Sequence, residues 1–285
     1  MHCCHAAARG RVRVMRRGFG VWSGAAGLLV ALAAPASAAG QPASATAIFD
    51  QYVSAVDARV AREHETADGF LAPAEWARVQ ARGVVVDPLT PPGGPALPGA
   101  LLHDWRATAF VPGATAAGLE AVLRDFSGYP RVFAPQVVAT RVAAQRGDAY
   151  QVWMRVRQRH VITVTMDATY DVRFGRLDEA HGWSVSRSRD VRAVSADGAQ
   201  PERALDGALW RLDTWWSWEE RNGGLAIEVE TVSLTRPVPW GLRWIVGPYV
   251  ESVPRESLEF TLRAACRAVR LSRPVATEAT RVGQP

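Results

Sequence analysis

Hydrophobic and polar residues alternate along the middle of the chain. The alternation is most regular between Ile162 and Phe174, where every second residue is apolar or aromatic and the residues between are Thr, Asp or Arg. A period of two residues places the two sets on opposite faces of a β-strand, one buried and one solvated. The same pattern predicts further strands at 101–111, 150–157, 183–191, 209–220 and 225–233.

A helical period replaces the strand period near both ends. In an N-terminal helix predicted over 46–65, apolar residues recur three or four positions apart: Ile48, Tyr52, Val53, Val56 and Val60. A long C-terminal helix is predicted in the same way from Leu258, Leu262, Ala265 and Val269, with Pro254 in its first turn. Short helices are predicted at 73–82, 115–126 and 129–133, the second after an N-cap at Thr115.

Residues 87–99 interrupt these patterns with five prolines and interleaved glycines, a composition that neither a helix nor a central strand tolerates. We therefore expect a helical extension over 39–86, a linker over 87–99, a folded α+β domain over 100–272 and a flexible tail over 273–285.

The first 38 residues have the composition of a signal peptide. Five arginines and no acidic residue precede an apolar run from Val21 to Ala34, and Ala36-Ser37-Ala38 follows it. The run is shorter than the roughly 20 residues that cross a bilayer. We expect cleavage near Ala38 and a periplasmic or secreted protein, with an uncleaved anchor as the alternative. The pattern leaves open the start codon, Met1 or Met15, and the Sec or twin-arginine route.

The leader also accounts for the basic character of the chain. It carries five of the 33 basic residues and none of the 28 acidic ones, so the rest is formally neutral and does not suit a nucleic-acid partner. The chain has no lysine for Schiff-base chemistry, and only Cys266 follows the leader. One thiol forms neither an internal disulfide nor a four-cysteine zinc site, and we expect no cofactor.

The order of the predicted elements resembles the helix-grip fold. Phe110-Val111-Pro112 leads into the segment Leu119-Glu-Ala-Val-Leu-Arg-Asp-Phe-Ser-Gly-Tyr-Pro130, followed by Phe133 and Pro135. These residues resemble the START-like, or SRPBCC, superfamily, which includes polyketide cyclases and coenzyme Q-binding proteins, over about 100–269. Residues 39–99 match nothing in it. The resemblance implies a curved antiparallel sheet around a long C-terminal helix, with an apolar cavity between them.

The function that the resemblance implies is binding of a hydrophobic small molecule or lipid. In such a fold the expected cavity residues are Tyr129, Phe133, Met154, Met166, Tyr170, Trp183, Trp210, Trp216, Leu258 and Leu262. The same residue types also fill closed cores, so core packing is the alternative for each. We expect the apolar connector 240–250 to form a lid, with transient membrane contact as the alternative.

Two other functions remain open. A cyclase-like or aromatase-like enzyme acting on a polyketide-like substrate would need an acid or base on the inner face. The only polar candidates near such positions are His160, His181, Arg187 and Arg189, and no catalytic residue is predicted. An inward Arg187 or Arg189 would instead recognise a ligand carboxylate. Alternatively, the helix over 46–65 docks onto a protein partner, whose identity the sequence does not indicate, through its apolar stripe. The sequence favours binding over catalysis.

Overall fold

A computed structural model describes residues 42–72, 76–90, 97, 99–159, 163–194, 209–237 and 243–271. The predicted leader and tail lie outside the described residues. So do most of the predicted linker, His160, Ile162 and the start of the connector at 240–242.

Eight strands within the described ranges form one antiparallel sheet. They are β1 (Val84–Pro88), β2 (Leu101–Pro112), β3 (Val137–Arg146), β4 (Ala149–Arg159), β5 (Thr163–Arg176), β6 (His181–Val194), β7 (Leu209–Arg221) and β8 (Gly224–Thr235). The spatial order is β1-β2-β8-β7-β6-β5-β4-β3, so β3 to β8 form a meander whose last strand pairs with β2. The predicted turn joins β7 to β8 through Asn222 and Gly223, both with positive φ, as short hairpin turns require.

Five α-helices accompany the sheet among the described residues. They are α1 (Ala43–Glu63), α2 (Trp76–Arg82), α3 (Ala116–Arg124), α4 (Tyr129–Val132) and α5 (Arg243–Leu271). The predicted cap of α3 is confirmed, because Thr115 Oγ1 accepts a hydrogen bond from Gly118 N at 3.1 Å. The expected α+β class is also confirmed. No helix in the described ranges is both long enough and apolar enough to cross a membrane.

The C-terminal helix starts earlier than predicted. α5 begins at Arg243, so Pro254 lies in the helix interior and its placement in the first turn was wrong. An interior proline removes one backbone hydrogen bond but does not by itself end a helix. The part of the predicted connector from Arg243 onward is therefore helical.

The sheet is the middle layer of the fold. We call the face that packs against α3, α4 and α5 the front face and the face that packs against α1 the back face. Front-face residues Val172, Phe174 and Ile227 form one core cluster with Leu119 and Leu262. A second cluster on the back face joins the α1 stripe to the sheet: Ala45, Phe49, Val53, Val56, Val60, Leu102, Trp215, Val232 and Leu234.

The α1 helix was predicted correctly, but its buried face was partly wrong. Phe49 is fully buried on the sheet, whereas Ile48 is 38% exposed. The buried stripe Ala45, Phe49, Val53, Val56 and Val60 is rotated relative to the one expected, because the contact with the sheet selects one side of the helix.

The sheet also begins earlier than the domain boundary expected near residue 100. β1 pairs with β2 from Val84 opposite Ala109 to Pro88 opposite Trp105. The proline is accommodated because β1 is an edge strand. Leu97 and Ala100 are buried in the cluster under α1. Parts of the predicted linker, Asp87, Pro88 and Leu97, thus belong to the folded layer structure.

Candidate binding sites on the two faces of the sheet

Most of the predicted cavity residues lie on the front face or in the elements that cover it. Five of these are buried within the front core: Phe133, Tyr170, Trp216, Leu258 and Leu262. Three are half-buried: Tyr129, Met154 and Met166.

The two tyrosines in this group are suited to packing and hydrogen bonding. Tyr129 packs edge-on against Phe133, with ring centroids 4.8 Å apart, and its hydroxyl donates to the carbonyl of Leu123 at 2.6 Å. Burial raises the pKa of Tyr129 and raises the pKa of Tyr170 to about 12. Both phenols therefore stay neutral at physiological pH and do not supply an ionised base there.

Half-buried apolar residues extend the front core across three strands. Strand pairing places Met154 opposite Ala168 and Ala168 opposite Val191, and the next row consists of Val156, Met166 and Ala193. Ala168 is buried, but its neighbours in both rows are only half-buried. We call these neighbours the apolar patch: Met154, Val156, Met166, Val191 and Ala193.

The apolar patch lies beside α5. Two residues beyond Val156 on β4, Gln158 Nε2 donates to Ser257 Oγ of α5 at 3.3 Å. Phe260, one turn further along α5, is half-buried and packs against the front core. The patch is thus an apolar surface on β4, β5 and β6 with α5 along its margin, where a cavity between sheet and helix was expected.

The back face carries a groove of about 960 Å³ beside α1. The second half of α1 contributes Asp57 and Val60 to one wall, and His64, directly after the helix, extends this wall. The floor and the opposite wall come from the sheet: Gln145, Arg146, Ala149, Gln151, Asp171, Arg173, Trp183, Val185, Arg187, Arg189 and Trp215. We call this feature the back groove.

Arg187 ties the back groove to α1. Its Nη1 donates to Asp213 Oδ2 at 3.1 Å, and its Nη2 donates to Asp57 of α1. The guanidinium carbon lies 4.8 Å from the ring centroid of Trp215, within the range of a cation–π contact. Burial raises the pKa of Asp213, although Arg187 and Arg211 oppose this shift.

His64 occupies the other end of the α1 wall. Its Nε2 lies 2.8 Å from Ser217 Oγ, and its ring stacks on Phe70 and Trp183 with centroid distances of 4.5 and 5.8 Å. Burial, assisted by the positive charge of Arg59, lowers the pKa of His64 to about 4. The imidazole is therefore neutral at pH 7 and a weak base.

A buried charge cluster lies under the middle of α1. Arg59 Nη2 donates to both carboxylate oxygens of Glu230 at 2.6 Å, and Arg106 Nη2 donates to Glu230 Oε2 at 2.8 Å. Burial and the charge of Glu230 raise the pKa of Glu228 to about 7, although the facing Arg106 opposes this shift. Burial and Glu230 likewise raise the pKa of Asp104 to about 7, and Asp104 Oδ2 accepts a hydrogen bond from Tyr52. These groups hold α1 on the sheet.

Two predicted cavity residues lie on the back face, away from the others. Trp210 packs with the α1 cluster, because a register shift between Leu209 and Arg211 turns it away from the front face. Trp183 lines the back groove. Trp183 was correctly predicted to share a face of the sheet with Val185 and Arg187. That face is the back face, and not the face on which the cavity was expected.

The polar candidates follow the same division. Arg187 and Arg189 both line the back groove, so neither lies in bulk solvent far from any cavity. His181 Nδ1 lies 2.8 Å from Asp178 Oδ1 in an adjacent turn. No group of three or more His, Cys, Asp or Glu side chains among the described residues is arranged to hold a metal ion.

Sequence reasoning missed Asp57, His64 and Trp215 as members of one site. Asp57 and His64 are seven residues apart and so share a helix face, which was the available signal. That face of the helix contacts the sheet only in the folded protein, and no local sequence pattern indicates this contact.

No protein-family model and no curated protein sequence matches the chain. Solved structures do resemble it. A STAR-related lipid transfer protein fragment from Xanthomonas axonopodis shares 18% identity at a TM-score of 0.41, with 66% of this chain and 99% of that one covered. A START superfamily protein from Mycobacterium smegmatis shares 16% identity at a TM-score of 0.41, with 59% of this chain and 97% of that one covered.

An aromatase/cyclase from Streptomyces sp. R1128 is similar at 16% identity and a TM-score of 0.40, with 59% of this chain and 91% of that one covered. The structural neighbours thus include START-domain and aromatase/cyclase structures. These likenesses concern the fold, and what the chain binds must be inferred from its own side chains.

Proposed function

We propose that the chain binds an apolar small molecule or a lipid at the apolar patch, on the front face of the sheet beside α5. The observation that carries the proposal is the half-burial of two successive cross-strand rows, which contain Met154 and Met166. Further along the same strands the front-face residues Val152, Tyr170 and Val172 are buried. The core therefore opens toward the patch.

Apolar surface that is left half-exposed favours an apolar ligand. Each 100 Å² of apolar surface removed from water contributes about 2.5 kcal/mol, so a ligand covering several patch residues gains enough to offset part of its loss of motion. Met154 and Met166 have unbranched, polarisable side chains that adapt to ligands of different shape. Such side chains suit hydrophobic ligands of different shapes better than a single polar substrate.

In the helix-grip arrangement that we propose, the predicted cavity residues divide into two groups. Met154 and Met166 would contact the ligand directly. Tyr129, Phe133, Tyr170, Trp216, Leu258 and Leu262 would form the packed floor and the helix wall behind them. Residues 240–250 would form the lid, with transient membrane contact during ligand exchange as the alternative.

The first test is native mass spectrometry, with lipid extraction, on residues 39–285 purified without detergent. A stoichiometric apolar ligand supports the proposal. Uptake is then measured with dansyl-undecanoic acid as the probe. Met166→Gln should weaken its binding several-fold, because a polar amide replaces the thioether in the patch. Val142→Gln is the matched control, since Val142 is an exposed apolar residue on β3 outside the patch.

Two results would overturn the proposal. One is a protein that is empty when purified and takes up neither the dansyl probe nor a sterol or quinone. The other is equal weakening by Met166→Gln and Val142→Gln, which would mean that the probe binds exposed apolar surface without a site.

The other two functions make different demands. A cyclase-like enzyme needs an acid or base beside the patch, and turnover of a polyketide-like substrate, lost when His160 is replaced, would favour it. A protein partner of α1 would have to bind the outer side of the helix, because the stripe of Phe49, Val53, Val56 and Val60 packs on the sheet.

We also propose that the protein is exported and that residues 1–38 are removed. The arginine-rich start and apolar run support this proposal. Cell fractionation with N-terminal sequencing tests it. Recovery of a periplasmic or secreted chain starting near Ala39 is expected, and an uncleaved cytoplasmic chain would contradict it.

A further inference from the structure

The back groove lies on the face of the sheet opposite the apolar patch. Its volume of about 960 Å³ is in the range that binds small molecules, about 300–1,000 Å³. Two features of its floor indicate what it binds: the apolar side chains at its centre and the charges along one cross-strand row.

One row of paired residues runs across the groove through five strands and combines two arginines with apolar residues. Arg146 on β3 lies opposite Ala149 on β4, and Ala149 lies opposite Arg173 on β5. Arg173 in turn pairs with Val185 on β6, and Val185 pairs with Trp215 on β7. All five residues line the groove. The row therefore has a cationic end and an apolar end.

The two arginines at the cationic end are available to a ligand. Arg146 and Arg173 are exposed, and neither forms an ion pair with a carboxylate of the described residues. Two strand spacings separate them, about 10 Å between Cα atoms, and the small side chain of Ala149 leaves the space between them open. An anion placed there would relieve the repulsion of the two guanidinium groups and accept hydrogen bonds from both.

The neighbouring row is different, because its charges are already paired. Asp171, Arg187 and Asp213 follow one another across β5, β6 and β7. Arg187 is bonded to Asp213 and Asp57, and Arg189 is bonded to Asp171. The positive charge left for a ligand is therefore at Arg146 and Arg173.

The apolar end of the row is partly accessible. Val185 and Trp183 are half-buried, and Trp183 packs beside His64, whose ring is neutral at pH 7. An aromatic ring or short chain lying there would cover apolar surface about 10 Å from the centre of the arginine pair, because Val185 lies two strand spacings from Ala149.

We propose that the back groove is a second binding site, for an organic anion. Its carboxylate, phosphate or sulfonate lies between Arg146 and Arg173, and its apolar body lies over Val185 and Trp183. This site is independent of the apolar patch, so either can fail without the other.

The test is an NMR titration of residues 39–285 with naphthalene-1-sulfonate, followed through the assigned indole N–H signals. Saturable shifts are expected for Trp183 and Trp215, which line the groove, and not for Trp216 and Trp218 in the front core. The uncharged naphthalene-1-methanol should bind at least ten-fold more weakly.

The double variant Arg146→Gln/Arg173→Gln should lose at least ten-fold in affinity for naphthalene-1-sulfonate. Arg131→Gln/Arg141→Gln removes the same charge at exposed sites outside the groove and should bind as the unchanged protein does. Equal binding of the charged and neutral probes would overturn the proposal, as would equal losses in the two double variants.

A lipid headgroup could supply the same anionic group as a soluble small molecule. Binding to phosphatidylglycerol vesicles distinguishes these two sources. Sedimentation with these vesicles that depends on Arg146 and Arg173, without binding of the soluble probe, would overturn the small-molecule site in favour of a membrane contact. Binding of the soluble probe without sedimentation supports the site as proposed.

Discussion

Trp215 Nε1 donates a hydrogen bond of 2.9 Å to Asp57 Oδ1, joining β7, a central strand of the sheet, to α1. The indole is only 2% exposed and belongs to the back-face cluster. The same carboxylate accepts a bond from Arg187. One side chain of α1 thus satisfies two donors of the sheet, and the helix functions as a covering layer of the domain.

Replacing Asp57 should weaken this attachment in two separable steps. Asp57→Asn keeps an acceptor for the indole but removes the charge opposite Arg187, and Asp57→Ala removes both. We expect Asp57→Ala to lower the free energy of unfolding by about 1–3 kcal/mol, and Asp57→Asn by less. Urea unfolding measures both.

Asp50→Ala is the control for this pair, because Asp50 lies on the same helix and faces Arg211 at 3.4 Å with about half of its side chain exposed. An exposed pair contributes about 0–1 kcal/mol. If Asp50→Ala cost as much as Asp57→Ala, the hydrogen bond to Trp215 would not be the source of the effect.

The α1 stripe should contribute to stability as a core does. Phe49 is fully buried against the sheet, so Phe49→Ala should cost about 3–5 kcal/mol. Ile48→Ala, at the exposed neighbouring position, should cost well under 1 kcal/mol. Thermal and urea unfolding of both variants check this. A small effect of Phe49→Ala would mean that α1 is only loosely attached and would revive the idea of a helix that exchanges between the sheet and a partner.

Local sequence patterns predicted most of the helices and strands, whereas no pattern indicated the contacts between residues far apart in the chain. The cap at Thr115 and the alternation through Tyr170 and Phe174 are properties of a few neighbouring residues, and both are confirmed. The strand Val84–Pro88 was not predicted, because three consecutive valines before Asp-Pro show neither period.

The candidate sites depend on register, which alternation alone does not fix. A single shift between Leu209 and Arg211 moves Trp210 to the back face. Arg146 and Arg173 are far apart in sequence and become neighbours in one row only because both pair with Ala149. Packing of the helices likewise determines which face of the sheet contacts α5 and which contacts α1.

Buried Glu228 should make the protein less stable as the pH rises. Its pKa is raised from about 4.5 to about 7 in the folded protein, mainly by burial, so the folded state holds a proton that the unfolded state releases. The resulting stabilisation is present below pH 4.5 and is lost as the pH rises through 7. Asp104, raised to about 7 under the same helix, acts in the same direction.

Glu228→Gln removes this titration. From pH 5 to pH 8 the unchanged protein should lose about 2 kcal/mol of unfolding free energy relative to the variant. Guanidinium unfolding across the pH range measures the difference. Glu179→Gln, at an exposed turn position, is the control and should follow the unchanged protein. Parallel curves for Glu228→Gln and the unchanged protein would show that Glu228 does not hold the extra proton.

His64 should act in the opposite direction. Burial, with the charge of Arg59, lowers its pKa from 6.5 to about 4, so the folded state disfavours the proton that the unfolded state binds. This contribution is fully present above pH 6.5 and is lost as the pH falls through 4.

His64→Phe keeps a ring against Phe70 and Trp183 but loses the bond to Ser217, which shifts stability by a constant amount. The informative quantity is therefore the change with pH: between pH 7.5 and pH 5 the unchanged protein should lose about 2 kcal/mol relative to His64→Phe. Because His64 opposes Glu228 and Asp104, the profile of the unchanged protein is the sum of opposing contributions, and each variant reveals one of them. A His64→Phe profile parallel to that of the unchanged protein would mean that the imidazole is solvated enough to be protonated in place, and the α1 wall of the back groove would then become positively charged in mild acid.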